Sequence, residues 1–323
     1  MRRLGCLVLI VGAVIFAVFA ANFLYGWNAS GPLENDTEII INRGATLGLA
    51  AKLLEEEGAI KSADSFLNRA KILGSSEPIK AGEFLVPAGA SNANILALLQ
   101  SGKTIQRLIT VPEGMPSIMV HETLMAEKLL TGDIPVPEEG SILPDSYSFE
   151  RGEKRADVVG RMQQAMKDTI AELWPKKTAE SVVKTPEEAI ILAAIVEKET
   201  AIASERRTVA AVYSNRIRRN MMLQADPTII YPITKGKPLG RRIRRSEIAA
   251  VNDYNTYAMV GLPKGPIANP GRASIEAVLD PVKSDYLYFV ADGKGGHIFA
   301  KTLEEHNANV AKWFAIRRER GEM

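Results

Sequence analysis

Apolar and polar positions divide this chain into an uninterrupted apolar opening, a short polar stretch, and a long body where helical and strand periods alternate. Met1-Arg2-Arg3 precedes an uncharged stretch, residues 4–33, that is apolar as far as about Leu24 and long enough to span a bilayer as a helix. A polar linker follows, from Asn28 to about Thr37. Residues 38–41 then read as a strand, and residues 44–57 as a helix with Leu47, Ala50, Ala51 and Leu54 on one face, stopped by Gly58. A second helix spans 62–73, with Phe66, Ala70 and Leu73 in register and Gly74 after it. Residues 79–86 form a strand with a turn. Ser91 caps a third helix carrying Ile95, Leu98 and Leu99 up to Gly102, and 104–111 is again a strand.

Residues 115–182 read as mainly helical, interrupted by a Pro- and Gly-rich loop at 134–144. From Thr185 the pattern is sharper. Thr185 with Glu188 makes a capping box, Pro186 takes the first helical position, and an apolar run leads to Ile195-Val196-Glu197-Lys198-Glu199-Thr200. A further helix, entered through Ser204, buries Val209, Val212, Tyr213 and Ile217. Residues 220–270 are loop-rich and proline-rich, which usually marks function rather than connection. Tyr286 to Val290, the turn Asp292-Gly293-Lys294-Gly295-Gly296, and His297 to Ala300 form a hairpin, and Thr302 with Glu305 caps the last helix.

Composition narrows the class. At 323 residues the chain has room for two or three domains, and 46% apolar with 24% charged content is ordinary for folded protein. A net charge of +2 argues against a nucleic-acid partner. A cleaved signal peptide, with Val18-Phe19-Ala20 before Ala21 as its site, is the alternative to a retained span, but the apolar run exceeds what a signal needs. Tyr25 and Trp27 fall where an interfacial aromatic belt would lie, and the two arginines keep the N-terminus in the cytoplasm. Cys6, the sole cysteine, lies inside the span, so no disulfide or cysteine metal site is available beyond it. His121, His297 and His306 have no ligand spacing; neither a metal nor a cofactor is expected.

Glu199 shares a helix face with Leu192, Ile195 and Val196, whereas Glu197 is offset toward Ile190, Ala193 and Ala194. A carboxyl held against bulky apolar side chains loses hydration, so its pKa rises toward the range of a general acid. A solvated or salt-bridged glutamate, partnered by Lys198 or Arg206, is the plain alternative. Four stretches add amides, hydroxyls, a carboxylate and aromatic rings: Leu143-Pro144-Asp145-Ser146-Tyr147, the segment 223–231, Tyr254-Asn255-Thr256-Tyr257, and the segment 261–270. A sugar site needs such groups, although singly each also serves in turns and cores. Basic runs at Arg216-Ile217-Arg218-Arg219 and Arg241-Arg242-Ile243-Arg244-Arg245 suit ligand carboxylates or anionic headgroups, or form solvated faces.

Taken in order, I-V-E-K-E-T (195–200), L-Q-x-D-P-T-x-x-Y (223–231), Y-N-T-Y (254–257), G-L-P-x-G-P-I-x-N-P (261–270), D-Y-L-Y-F-V (285–290) and the late G-x-H-x-F followed by E-H-N resemble the YceG-like family of endolytic murein transglycosylases. Lys264 departs from the family's usual second proline and puts the stiffness of that loop in question. The resemblance implies an α+β chain. Residues 1–27 would be a cytoplasmic tip and transmembrane anchor, 28–37 a linker, 38–112 a small LysM-like module, and 113–323 a mainly helical, lysozyme-like catalytic domain with a C-terminal β-hairpin. It further implies a single-pass protein of the bacterial inner membrane with its catalytic domain outside the cytoplasm, near peptidoglycan synthases (penicillin-binding proteins). Such an enzyme terminates glycan elongation by cutting MurNAc–GlcNAc bonds and leaving 1,6-anhydro-MurNAc ends.

Glu199 aligns with the family's single catalytic acid and base, and Gln224, Asp226, Thr228, Tyr254, Asn255 and Tyr257 are the expected sugar contacts. Ordinary glycosidases need two carboxyls. No second acid stands out in the sequence, which suits a reaction whose nucleophile is the muramic C6 hydroxyl. A hydrolytic muramidase using Asp226 or Asp145, and a non-catalytic peptidoglycan-binding protein, are the alternatives.

Overall fold

The structure is a computed structural model that describes residues 2–321, with side chains from Leu9 onward; the side chains of Arg2, Arg3 and Cys6 lie outside the described part. Mixed helices and small two-stranded sheets build it, in two compact units. The first comprises residues 1–107 and 149–151, the second 108–148 and 152–323.

Helix α1 (Arg2–Asn28) contains the stretch Leu9–Asn28, with a mean hydropathy of 2.2, long and apolar enough to cross a membrane. In the same unit, β1 (Thr37–Ile41) and β2 (Gly82–Val86) pair antiparallel, with Thr37 opposite Val86 and Ile41 opposite Gly82. Between them run α2 (Leu47–Glu56) and α3 (Ala63–Leu73), and α4 (Asn92–Ser101) follows. Thr46, Ser62 and Ser91 each accept the backbone N–H three residues on, satisfying an otherwise orphaned helix donor. The expected start of α2 at Gly44 is therefore early by three residues, because Thr46 is the cap.

Alternate residues of β1 and β2 (Ile39, Ile41, Phe84 and Val86) close a core with Leu54, Phe66, Ile95 and Leu99. Trp27, expected in an interfacial belt, is buried in this core instead, its ring centroid 6.0 Å from that of Phe66. The polar residues after it are pinned rather than slack. Gly31 N–H donates to Gly89 O at 3.1 Å, Gly89 N–H to Leu33 O at 2.9 Å, and Ala88 N–H to Asp36 Oδ1 at 2.8 Å.

In the second unit, α5 (Ser117–Ala126), α6 (Arg155–Leu173), α7 (Pro186–Glu199), α8 (Arg206–Arg218), α9 (Pro227–Thr234), α10 (Arg245–Ile248) and α11 (Arg272–Leu279) precede a hairpin and a last helix. Strands β3 (Arg107–Thr110) and β4 (Ser146–Phe149) pair, and the division between the units falls within them. In the hairpin, β5 (Tyr288–Ala291) faces β6 (His297–Ala300), and α12 (Leu303–Glu319) starts at the reciprocal Thr302–Glu305 box. Helices α9 and α11 occupy stretches where the pattern gave no helix: each is only eight residues long, and α9 contains Pro232. Buried Leu192–Val196 of α7, Val209, Ala210 and Tyr213 of α8, and Ile275 and Val278 of α11 form the core that fixes the position of the α7 C-terminus.

Asn269, fully buried, ties the loops of this unit together. Its amide nitrogen donates to Met115 O at 2.9 Å and Ser117 Oγ at 3.0 Å, while its Oδ1 accepts Ile142 N–H at 3.1 Å.

Within the first unit, Glu83 is buried on β2 between Arg107 and Arg151, the latter at 3.3 Å. Burial alone would raise its pKa, but the two guanidinium partners reverse this and hold the carboxyl below its ordinary range. Stability from a depressed carboxyl is present above its unfolded pKa and lost as pH falls through the folded one. Glu83→Gln should therefore lower stability at pH 7 by about 3 kcal/mol, the scale of a buried pair losing one partner. In thermal denaturation the difference should narrow below pH 4.

Candidate active site

The site grows from the end of α7. Thr185 Oγ1 accepts Glu188 N–H at 3.2 Å, but the Glu188 carboxylate accepts from Lys184 N–H at 2.6 Å, so the expected box closes one residue earlier on its return side. At the other end Thr200 turns extended (φ −141°, ψ 131°), and its Oγ1 accepts Ile202 N–H at 3.0 Å. Helix α7 therefore stops with Glu199 as its last residue.

Glu199 is half-buried, and its pKa is pushed up to about 7 from 4.5. Loss of hydration is the main cause, and the negative charge of Asp226 adds to it. Two groups of α8 act in the opposite sense: the Tyr213 hydroxyl donates to the carboxylate, and the positive charge of Arg216 favours its ionised form. Tyr213 is buried, and burial beside the acid raises its own pKa well above that of a free phenol.

Arg216 does not belong to the exposed basic run it was grouped with. It is buried, its Nε donates to Leu287 O at 2.7 Å and its Nη1 to Leu223 O at 2.8 Å, and the guanidinium lies 5.2 Å from the Tyr288 ring centre. Burial lowers its pKa from the usual guanidinium value. Tyr213 and Arg216 lie three residues apart, on the face of α8 marked by Val209 and Val212, and that spacing is the signal that could have paired them.

Glu197 has a different environment. Its Oε2 accepts Gly271 N–H at 2.9 Å, and its Oε1 lies 3.6 Å from Arg206, which also reaches Glu113 at 3.4 Å. Glu197 thus fastens the start of α11 and is already paired. Asp145 is exposed, with its Oδ1 accepting Ser146 N–H at 2.7 Å.

The segment after α8 brings Asp226 to Glu199. Gln224 adopts the left-handed region at φ 52°, rare for a side-chain-bearing residue, and its N–H donates to Thr256 O at 3.0 Å. Thr228 Oγ1 donates to Ala225 O at 2.6 Å, and Thr256 Oγ1 accepts Ala225 N–H at 3.0 Å. The Asn255 amide donates to Ala250 O at 2.7 Å and Ile248 O at 2.9 Å, and its Oδ1 accepts Tyr257 N–H at 3.0 Å. Thr228 and Asn255 are therefore buried with their polar groups spent inside the protein. That corrects the expectation that they meet a sugar directly, since a fully enclosed group has no free surface for a ligand.

Gln224 and Asp226 are exposed, and Tyr254 and Tyr257 half-buried. Tyr257 OH donates to Asp226 Oδ1 at 2.7 Å. Asp226 precedes α9 yet makes no cap bond, so its carboxylate is committed to Tyr257. The Tyr254 ring lies 4.9 Å from that of Tyr231. Lys264 bonds Asp253 twice, through its N–H to Asp253 O at 2.9 Å and through Nζ to Oδ2 at 3.2 Å, which anchors the loop where a proline was missing.

Behind the site, the hairpin is latched to the end of α7. His297 Nδ1 lies 2.7 Å from Glu205 Oε2, Glu205 accepts from Thr200 Oγ1 at 3.4 Å, and the His297 ring meets Phe289 edge-on at 5.2 Å. Phe289 in turn meets the Tyr213 ring at 6.0 Å. Among the described residues no group of three or more His, Cys, Asp or Glu is arranged to hold a metal ion.

The raised pKa of Glu199 carries a stability signature. Below pH 4.5 the carboxyl is protonated both folded and unfolded; above about pH 7 the folded protein must ionise it against its surroundings. Removing the ionisable group should therefore stabilise the protein at high pH only. Glu199→Gln is expected to gain about 3 kcal/mol over the parent at pH 9, with no gain at pH 4, in paired thermal melts.

Comparison with known proteins follows the same chain of residues. The model of the YceG-like family matches residues 39–312. An endolytic murein transglycosylase of Bacillus subtilis (strain 168) is 29% identical, covering 94% of this chain and 93% of that protein. One of Streptococcus pneumoniae (serotype 2, strain D39 / NCTC 7466) is 29% identical over 84% of this chain, which spans 57% of that relative's length. The crystal structure of a yceG-like protein from Listeria monocytogenes superposes with a TM-score of 0.53 at 27% identity, covering 85% of this chain and 99% of that one. The match over most of its length places this chain in the YceG-like family.

Proposed function

We propose that this chain is an endolytic murein transglycosylase that cuts MurNAc–GlcNAc bonds within glycan strands, with Glu199 as its single general acid and base. The observation that carries the reading is a carboxyl with a pKa near 7 at the end of an apolar helix, so that it holds a proton at neutral pH and can also release it. Its relatives' activity, as named, is of the same class.

In the first step the Glu199 carboxyl donates its proton to the glycosidic oxygen, and the C1–O bond to the leaving GlcNAc breaks. The new carboxylate is stabilised by the Tyr213 hydroxyl and the Arg216 charge. It then accepts the proton of the muramic C6 hydroxyl as that oxygen bonds to C1, giving the 1,6-anhydro end and restoring the acid. Asp226, oriented by Tyr257, supplies negative charge toward the cationic transition state. Gln224, Asp226, Tyr254 and Tyr257 hold the sugars, while Thr228 and Asn255 shape the loops that carry them.

In this reading α1 anchors the chain in the inner membrane as a single pass, with the N-terminus cytoplasmic. The β1–α2–α3–β2 arrangement serves as a LysM-like glycan-binding module beside a lysozyme-like catalytic domain. Cutting nascent strands near the peptidoglycan synthases would end their elongation.

A second reading, hydrolysis by a muramidase, is favoured by one observation: the Asp226 carboxylate lies close enough to Glu199 to raise its pKa. There Asp226 would direct a water in place of the C6 hydroxyl. Mass spectrometry separates the two, because a hydrolytic product is heavier by one water. Glu199→Gln should reduce cleavage of purified strands by about three orders of magnitude without unfolding the chain, and the parent should release anhydro ends. Full activity in that variant, or activity lost only in Glu197→Gln, would move the role elsewhere. Reducing ends in place of anhydro ends, abolished by Asp226→Asn, would establish the hydrolytic reading.

A further inference from the structure

Near the segments that carry Glu199 and Asp226 the second unit holds a cleft of about 480 Å³ that the chemistry above does not use. Its walls include Lys198 and Pro227, the chain neighbours of Glu199 and Asp226, so it borders the backbone that carries both carboxyls. Its character differs sharply from that of the sugar-facing loops. Met115, Pro116, Met119, Ile230 and Pro238 line it, and it has no aromatic ring on which a pyranose face could stack. The rings of the site, Tyr231, Tyr254 and Tyr257, are absent from its lining.

Three charged side chains reach the cleft besides these apolar walls. Glu113 is drawn to Arg206 at 3.4 Å, and Lys237 is paired with Glu122. Lys198 makes no ion pair among the described residues; its Nζ has only the Gly114 carbonyl, at 3.4 Å. An ammonium at the edge of an apolar cleft, held by one long neutral bond, suits a ligand that brings methyl groups and a carboxylate together. A sugar ring, with hydroxyls on every side, finds too few polar partners there.

We infer that this cleft is a subsite for the peptide substituent carried on the lactyl group of muramic acid. The lactyl and alanyl methyls would lie against Met115, Met119 and Pro116, with a peptide carboxylate on Lys198. The inference rests on the murein-cleaving reading and deepens it: the enzyme selects strands that still bear their peptides. Sugars bind on the tyrosine side of Asp226 and peptide on the methionine side.

The test uses the full-length chain in detergent and two substrates, glycan strands bearing stem peptides and the same strands stripped by an amidase. The quantity read is the ratio of kcat/KM for the two. The parent should favour peptide-bearing strands about tenfold, the worth of one charge-assisted hydrogen bond. Lys198→Gln and, independently, Met119→Trp, which fills the cleft, should bring the ratio close to one, mainly through KM on the peptide-bearing strand. Lys198→Arg should restore most of it. General damage to the fold lowers both activities and leaves the ratio unchanged. A parent that cuts both substrates equally, or variants that keep the parent's ratio, would overturn the subsite while leaving the proposed activity intact. A parent that cuts neither would remove the activity and the subsite together.

Discussion

The withdrawal of water from the Glu199 carboxyl is the constraint around which the rest of the second unit is arranged. An acid with full hydration would be ionised at neutral pH and have no proton to give; one with no compensation at all could not exist as the anion that the proposed second step calls for. The structure sets the balance with neighbours of opposite effect. Apolar packing and the Asp226 charge hold the proton on, while a phenol and a guanidinium from α8 make its departure tolerable. Because Tyr213 and Arg216 sit on one helix and Glu199 ends another, the balance depends on how α7 and α8 pack, and α11 packs against both.

The same economy governs the loops. A carboxylate two segments away must be aimed at the helix end without closing the cleft, and the chain does this with buried amides and hydroxyls rather than bulk. The left-handed turn at Gln224 is held by Thr256, Thr256 by Thr228, and the neighbouring Asn255 by the carbonyls of Glu247, Ile248 and Ala250 at the end of α10. Each of these groups would be costly to bury alone, and together they satisfy one another. The result is a rigid frame that leaves Asp226 and the tyrosines, the members with free surface, facing outward.

What was legible in the sequence follows the range of the forces involved. Caps and periodic faces are local, so Ser62, Ser91, Thr185 and Thr302 marked their helices correctly, and the desolvation of Glu199 could be read from Leu192, Ile195 and Val196. The return half of the Thr185 box escaped because a carboxylate can reach either of two adjacent amides. Helices α9 and α11 escaped because eight residues give barely two turns of pattern, and Pro232 interrupts the first of them. Thr228 and Asn255 looked like ligand groups for the same reason that they are good scaffold: amides and hydroxyls serve either purpose, and only burial tells which. Arg216 was hidden in a run of arginines. Nothing local distinguishes a guanidinium that will be buried against carbonyls from its exposed neighbours Arg218 and Arg219.

The burial of Trp27 has a mechanical meaning. The last turn of α1 is seated in the core of the β1–β2 module, Gly26 O accepts the Asn92 amide at 3.1 Å, and the residues beyond Asn28 run bonded along the same surface. A free linker of ten residues would let its cargo roam over roughly 17 Å. Here the module has no leash. In the membrane-anchored reading proposed above, the module is a fixed headstock on a post, carried directly by the end of α1. If it grips glycan as proposed, the strand is held within a module's width of the helix end and cannot be reached for at a distance.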